Sequence, residues 1–145
     1  MMIRKAQIED LEVLGELVAR LWPHHTPVEM AAECREIMGD SEAVFFLAFL
    51  DDTAVGFAQC QLRRDYVEGT SSSPVGYLEG IYVSDSARNR GLAGKLLWAC
   101  EEWARQMGCR EFASDCELDN TGSLAFHLRL GFEEAGRIIC FTKKL

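Results

Sequence analysis

The tract AVFFLAFL-DDT-AVGFAQCQLRR, residues 43–64, limits the possible folds more than any other stretch of the chain. Two apolar, aromatic-rich runs flank a short acidic turn, which is the pattern of a β-hairpin. A third strand follows at Gly76–Val83, GYLEGIYV, with only a Gly/Ser/Pro-rich loop (DYVEGTSSSPVG) between. Three strands in succession break the strand–helix alternation of a doubly wound parallel sheet. The remaining segments fit around this meander. MMIRKAQ reads as a first strand. From Glu9 or Asp10, the residues Leu11, Leu14, Leu17, Val18, Leu21 and Trp22 recur at helical spacing, and Pro23 stops the helix. Pro27 opens a second helix that ends near Gly39. A long helix is predicted over Asn89–Met107, with Leu92, Leu96, Cys100, Trp103 and Met107 on its buried face and Gly108 after it. REFASDCE gives a strand, NTGSLAFHLRL a helix closed by Gly131, and FEEAGRIICFTKKL a last strand or hairpin. The predicted order is β-α-α-β-β-β-α-β-α-β. The expected fold class is α/β (α+β), a mixed and mostly antiparallel central sheet flanked by about four helices, in a single domain over residues 1–145.

Charge and cysteine usage narrow the function. A formal net charge of −8 disfavours nucleic acid and anionic membrane as partners and suits a cationic ligand. The longest apolar run has eight residues, too few to span a bilayer, and the N-terminus lacks a continuous apolar signal segment. The six cysteines form no CxxC pair, so neither a zinc site nor a disulfide framework is expected, and no metal is. Buried free thiols in a reducing cytoplasm is the expected state.

Two features carry chemistry. Glu79 interrupts the apolar strand GYLEGIYV, and a carboxylate there is costly unless paired, hydrated or used. Immediately after that strand comes VSDSARNRGLAGKLL, a short polar loop leading into a helix. Free amides and the dipole at a helix start bind phosphate oxygens. Gly91, Ala93 and Gly94 leave room for a pyrophosphate, and Arg88 and Arg90 add positive charge. The segment is neither a Walker A loop nor a GxGxxG fingerprint. Its small residues would also suit close packing of the helix on a sheet.

The pattern R-x-x-G-x-A at Arg88, Gly91 and Ala93, directly after LEGIYV and followed by NTGSLAFHLRLGF, resembles the GNAT superfamily of acyl-CoA N-acetyltransferases. The resemblance implies acetyl-CoA as cosubstrate. It also implies that the backbone of Ile81, Tyr82 and Val83 pairs with the pantetheine arm. The amides of Asn89, Arg90, Gly91, Leu92, Ala93 and Gly94 would hold the pyrophosphate, with Asn120 reaching the cofactor. Within that superfamily, LWP-H (Leu21–His25), DYVEGTSSSPVGYLEGIYV (Asp65–Val83) and EFASD (Glu111–Asp115) resemble aminoglycoside 6'-N-acetyltransferases. That resemblance implies transfer of an acetyl group to the 6'-amine of an aminoglycoside antibiotic. The implied substrate-facing residues are Trp22, His25, Tyr66, Glu79 and Asp115, and the implied assembly is a homodimer.

The residues agree in part. A polycationic, hydroxyl-rich sugar calls for carboxylates and flat amphipathic rings. Glu79 and Asp115 on neighbouring strands would supply the acids, as counter-charges and as acceptors of the ammonium proton through water. As single residues, they read equally as solvated strand carboxylates, Trp22 as a rim aromatic, His25 as a surface histidine and Tyr66 as a loop anchor. Direct attack in a ternary complex is expected, because no cysteine is paired in sequence with a base. Two positions depart from the family pattern. His127 stands where a tyrosine is common, as a candidate proton donor to the thiolate or a plain surface histidine. Gly136 stands where an acid is expected. The competing readings are a GNAT enzyme for a polyamine or protein amine, and a non-catalytic acyl-CoA sensor.

Overall fold

The structure, a computed structural model, describes residues 1–145. Its centre is the predicted hairpin: β2 (Ala43–Leu50) and β3 (Thr53–Arg63) pair antiparallel around Asp51 and Asp52. Both aspartates have positive φ, 46° and 66°, the geometry a two-residue hairpin turn requires. β1 (Met2–Lys5) adds to β2, and β4 (Val75–Val83) adds to β3, all antiparallel. β5 (Phe112–Ser114) lies parallel to β4 and gives a five-stranded sheet in the order β1-β2-β3-β4-β5.

Strand alternation divides the apolar residues between two faces. Phe45, Leu47 and Phe57 pack under α1 (Leu11–Leu21) and α2 (Pro27–Met38), against Leu14, Leu17, Val18 and Cys34. Val44, Phe46, Ala48, Cys60 and Leu78 pack under α3 (Leu92–Gln106), against Leu96, Leu97, Cys100 and Trp103. α4 (Thr121–Arg129) follows β5, and the residues after it, Leu130 and Phe132, join the α3 side. Each fully buried Leu or Phe contributes about 1.5–3 kcal/mol of transfer free energy, so these two layers fix the strand register from which the site is built.

Three expectations are corrected. The long helix begins at Leu92, not Asn89. Residues Asp85–Ala87 form one 3-10 turn, and Asn89 and Gly91 then take positive φ, 65° and 76°, so the chain turns before the helix starts. The final strand is absent: residues 133–145 belong to no helix or strand and make no backbone–backbone hydrogen bond. An apolar run becomes a strand only when its backbone pairs with a sheet edge, and this segment pairs with none. Ala135 and Gly136 lie against Gly69 and Glu68, and Ile138, Ile139 and Phe141 beyond them are exposed. Finally, only four of the cysteines are buried; Cys116 and Cys140 are exposed.

Candidate active site

The strand carboxylate is explained by a break in the ladder. Opposite β3, Cys60 pairs with Leu78 and Gln59 with Gly80, so Glu79 has no partner residue. It is the extra residue of a β-bulge, a device that re-aims a side chain. Its carboxylate lines a cleft of about 320 Å³ on the α1/α2 face, together with Val18, Trp22, His25, Met30, Glu33, Cys34, Ile37 and Gln59.

Glu79 is not bare. Arg63, at the end of β3, donates from Nε to Oε2 at 3.1 Å and from Nη2 to Oε1 at 2.8 Å. The paired carboxylate raises the Arg63 guanidinium above its ordinary pKa. That guanidinium lies 3.4 Å from the ring centroid of Tyr77, a cation–π contact. The Tyr77 hydroxyl donates to Asp115 Oδ2 just beyond β5. Burial first, and then the Asp115 carboxylate, push the Tyr77 phenol well above its usual pKa. Glu79, Arg63, Tyr77 and Asp115 therefore form one connected network across three strands. The expected acids Glu79 and Asp115 are linked through this network, but only Glu79 lines the cleft. Their two connectors, Arg63 and Tyr77, were not identified from sequence, because pairing across strands depends on the register and on the bulge. Glu33 and Gln59 also line the cleft unforeseen. Alternation along β3 from Phe57 through Gln59 to Arg63 is the signal that would have placed the last two on the α1/α2 face.

The remaining substrate-facing candidates divide. Trp22, the residue that ends α1, lies over β4: a Cβ added to Gly80 would stand 2.6 Å from its Cη2. Its ring also tilts against Phe57 at 6.4 Å. His25 lines the cleft and has Glu29 Oε2 3.4 Å from its Nδ1. Tyr66 lies outside the cleft, 76% exposed, with its hydroxyl accepting from the Gly69 amide at 3.4 Å. The loop that carries it is tied down at Glu111, which accepts from the Ser71 amide and the Ser72 hydroxyl; these bonds hold the Glu111 carboxyl below its usual pKa. At Gly136, where an acid was expected, the Glu68 carboxylate comes within 3.6 Å of where a Cβ would be.

A cradle of free backbone amides adjoins the cleft. β4 and β5 pair only over Gly76–Leu78, so Glu79–Val83, which includes Ile81, Tyr82 and Val83, has a free edge on that side. At the end of this edge, the amides of Asn89, Arg90, Gly91, Leu92, Ala93 and Gly94 make no backbone hydrogen bond. A Cβ at Gly91 would meet nothing within 4 Å, and one at Gly94 only Leu130 at 3.7 Å, so the cradle is open. Six free amides at a helix start fit a pyrophosphate, and a free strand edge fits an amide-bearing arm. Arg88 braces the turn by donating from Nε to the Val83 carbonyl at 2.9 Å and pairing with Asp85 at 3.0 Å. Asn120 caps α4, its Oδ1 accepting from the Ser123 amide at 3.0 Å, which leaves its NH2 for other partners. His127 sits behind the strand fork: Nδ1–H donates to the Ser123 carbonyl at 2.7 Å, and Nε2 lies 2.8 Å from Ser114 Oγ. Its ring is held edge-on to Phe126 and Phe132.

A bulged acid over a cleft, beside a splayed strand that leads to a phosphate cradle, is the geometry of an acyl-CoA transferase. The acetyltransferase (GNAT) family model matches residues 8–132, and the chain belongs to that family. It is 42% identical over 138 residues to an aminoglycoside N(6')-acetyltransferase type 1 of Serratia marcescens, covering 94% of both chains. It is 39% identical over 145 residues to the enzyme of the same name from Acinetobacter haemolyticus, covering 100% of this chain and 99% of the other. Its fold matches the apo crystal structure of AAC(6')-IG from Acinetobacter haemolyticus with a TM-score of 0.94 at 39% identity, covering 100% and 99% of the two chains. It matches AAC(6')-Iy, in complex with the bisubstrate analog CoA-S-monomethyl-acetylneamine, with a TM-score of 0.94 at 42% identity, covering 99% and 98%. The mixed sheet with four helices is the fold the sequence led us to expect.

Proposed function

We propose that this protein transfers the acetyl group of acetyl-CoA to the 6'-amino group of aminoglycoside antibiotics and thereby confers resistance to them. One observation carries the reading: the carboxylate cleft opens onto the strand whose other edge leads to the amide cradle, so a cationic acceptor and an acyl-CoA would meet at Glu79. The likeness to an AAC(6') enzyme complexed with a CoA–neamine bisubstrate analog supports it.

The acceptor amine must lose its proton before it attacks. Glu79 and Asp115 would hold the ammonium groups, and water on Glu79 would carry the proton away. Backbone N–H groups on the free edge of β4 would polarise the thioester carbonyl, while Trp22 and His25 would flank the sugar and Tyr66 would close over it from the loop. The amides of Asn89 to Gly94 and the NH2 of Asn120 would fix the cofactor, so most of the acceleration is positional. Direct attack is favoured over an acetyl-enzyme, because burial pushes the cleft cysteine, Cys34, up to about 12 and keeps its thiol protonated. His127, hydrogen-bonded through Ser114 at the strand fork, is the candidate proton donor to the departing thiolate.

We place the chain as one acetyltransferase domain working in the cytoplasm as a homodimer. The exposed Ile138, Ile139 and Phe141 on an unpaired segment support the dimer. Replacing these three residues by serine should convert a dimer to a monomer in light scattering. The activity is tested by thiol release from acetyl-CoA with kanamycin, spermine or a peptide as acceptor, and by NMR of the product. Kanamycin acetylated at the 6' nitrogen is the expected result. Release with spermine or peptide alone would replace the reading with a polyamine or protein acetyltransferase.

A further inference from the structure

The Arg63–Glu79 pair raises a problem for a cationic acceptor. Both oxygens of the carboxylate offered to the ammonium are already occupied by a guanidinium. The pair is fork-on-carboxylate, the strong geometry for such bonds, and Glu79 is only 18% exposed. Arg63 is more open, at 39%, so its head group can leave toward solvent. The charged and titratable groups around the pair are Tyr77 and Asp115 on the β4/β5 side, Glu33 and the buried Cys34 thiol from α2, His25 after α1, and the buried Cys60 thiol on β3. Arg63 is the one basic side chain bonded to Glu79, and it sits on a ring fixed from behind by Asp115.

We infer that Arg63 is a resident counter-ion that the substrate must displace from Glu79, and that this exchange sets the preference for polycationic acceptors. The inference rests on Glu79 being the carboxylate that meets the acceptor amine. An acceptor with a single ammonium gains one Coulombic contact at Glu79 and gives up the existing one, so it gains little. A polycation can also engage Glu33, which lines the cleft, and extend past Tyr77 toward Asp115; Arg63 makes no direct contact with either acid. The guanidinium remains nearby, stacked on Tyr77, and returns when the product leaves. Arg63 is thus a specificity-determining residue, not a group that touches the reacting atoms.

The test compares Arg63→Gln and Arg63→Lys with the parent enzyme, each also in a Glu79→Gln background. The acceptors are kanamycin and a methyl 6-amino-6-deoxyglucoside that carries one amine. Arg63→Gln should lower the kanamycin KM about tenfold, or about 1.4 kcal/mol, with the acetyl-CoA KM unchanged. It should raise kcat/KM for the monoamine by a larger factor, so the polycation-to-monoamine ratio falls. Arg63→Lys, which keeps the charge without the fork, should fall between. In the Glu79→Gln background the effect of Arg63→Gln should vanish. A kanamycin KM that rises, or a selectivity ratio that stays constant in the folded variant, overturns the inference and leaves Arg63 as packing. If Glu79→Gln alone leaves the kanamycin KM unchanged, the reading of Glu79 itself fails, which is a separate outcome.

Discussion

Adding one methyl group at Gly80 should disable the acceptor side of the site and spare the cofactor side. The residue follows the bulged Glu79, and an alanine Cβ there would lie 2.6 Å from Trp22 Cη2 and 3.1 Å from both Trp22 Cζ2 and Leu21 Cδ2. Carbon atoms pack at about 3.5–4.0 Å, so the ring must move. Overpacking of this kind costs about 1–3 kcal/mol. Trp22 is already 36% exposed and can swing outward, which keeps the cost near the lower bound. Swinging out also forfeits the tilted contact with Phe57, about 0.5–1.5 kcal/mol. The sum, about 2 kcal/mol, corresponds to a fall in Tm of about 4–8 °C for a domain of this size. A ring that stacks on the sugar contributes a similar 0.5–1.5 kcal/mol, so the kanamycin KM of Gly80→Ala should rise about 3- to 10-fold. The acetyl-CoA KM should not change. Tryptophan emission should shift to the red, since Trp103 is buried and Trp98 is already exposed, leaving Trp22 as the ring that changes solvent contact. A loss of Tm without any change in the kanamycin KM, or a rise confined to the acetyl-CoA KM, would refute the assignment of this cleft to the acceptor.

Other expectations concern the cradle, the N-terminal layer and the thiols. Gly91→Ala places a Cβ in open space at φ 76°, so it should cost about 1 kcal/mol of stability from the left-handed backbone and raise the acetyl-CoA KM severalfold; Gly91→Asn, which tolerates that φ, should recover the stability but not the KM. Asp10→Asn removes the pair with Arg4, whose hydrogen bond lowers the Asp10 carboxyl, and solvent screening limits the loss to about 0.5–1 kcal/mol. Because the folded-state pKa is depressed, that contribution is complete above the ordinary carboxyl range and disappears as pH falls through the folded value. Urea titrations of parent and variant should therefore diverge at pH 7 and converge in acid. Thiol labelling of the native protein followed by mass spectrometry should modify neither Cys34, Cys60, Cys100 nor Cys109, all buried, and should find all six sites after unfolding.

The local features of the fold were the most legible. β2 spans the eight residues of the apolar run, and the Thr26–Pro27 start of α2 follows standard capping chemistry, with the Thr26 hydroxyl accepting from Glu29 N–H. The start of α3 was misplaced because Asn89 and Gly91 spend their residues on left-handed turns, a backbone choice that periodicity does not report. The last strand failed for a different reason. Ile138, Ile139 and Phe141 have strand propensity, but pairing needs an edge, and which edge is free is a property of the whole sheet.

In the site, Glu79 was legible as an anomaly, since a carboxylate among strand formers needs a reason. The bulge that supplies the reason is a matter of register. Arg63 stood in the sequence sixteen residues before Glu79 as one of two adjacent arginines, with nothing to distinguish it from Arg64. Strand geometry separates them: Arg63 turns to Glu79 and Tyr77, while Arg64 pairs with Glu42 at the surface. Tyr66 shows the reverse case, a residue implied by resemblance that lies outside the cleft.

A crystal structure of the protein with CoA and kanamycin bound together would test the central claim most directly. The 6'-amine should lie within direct or single-water reach of Glu79, with the cofactor along the free edge of β4 and the Arg63 guanidinium withdrawn from the carboxylate. Kanamycin bound away from Glu79, with the Arg63–Glu79 pair intact, would contradict the account.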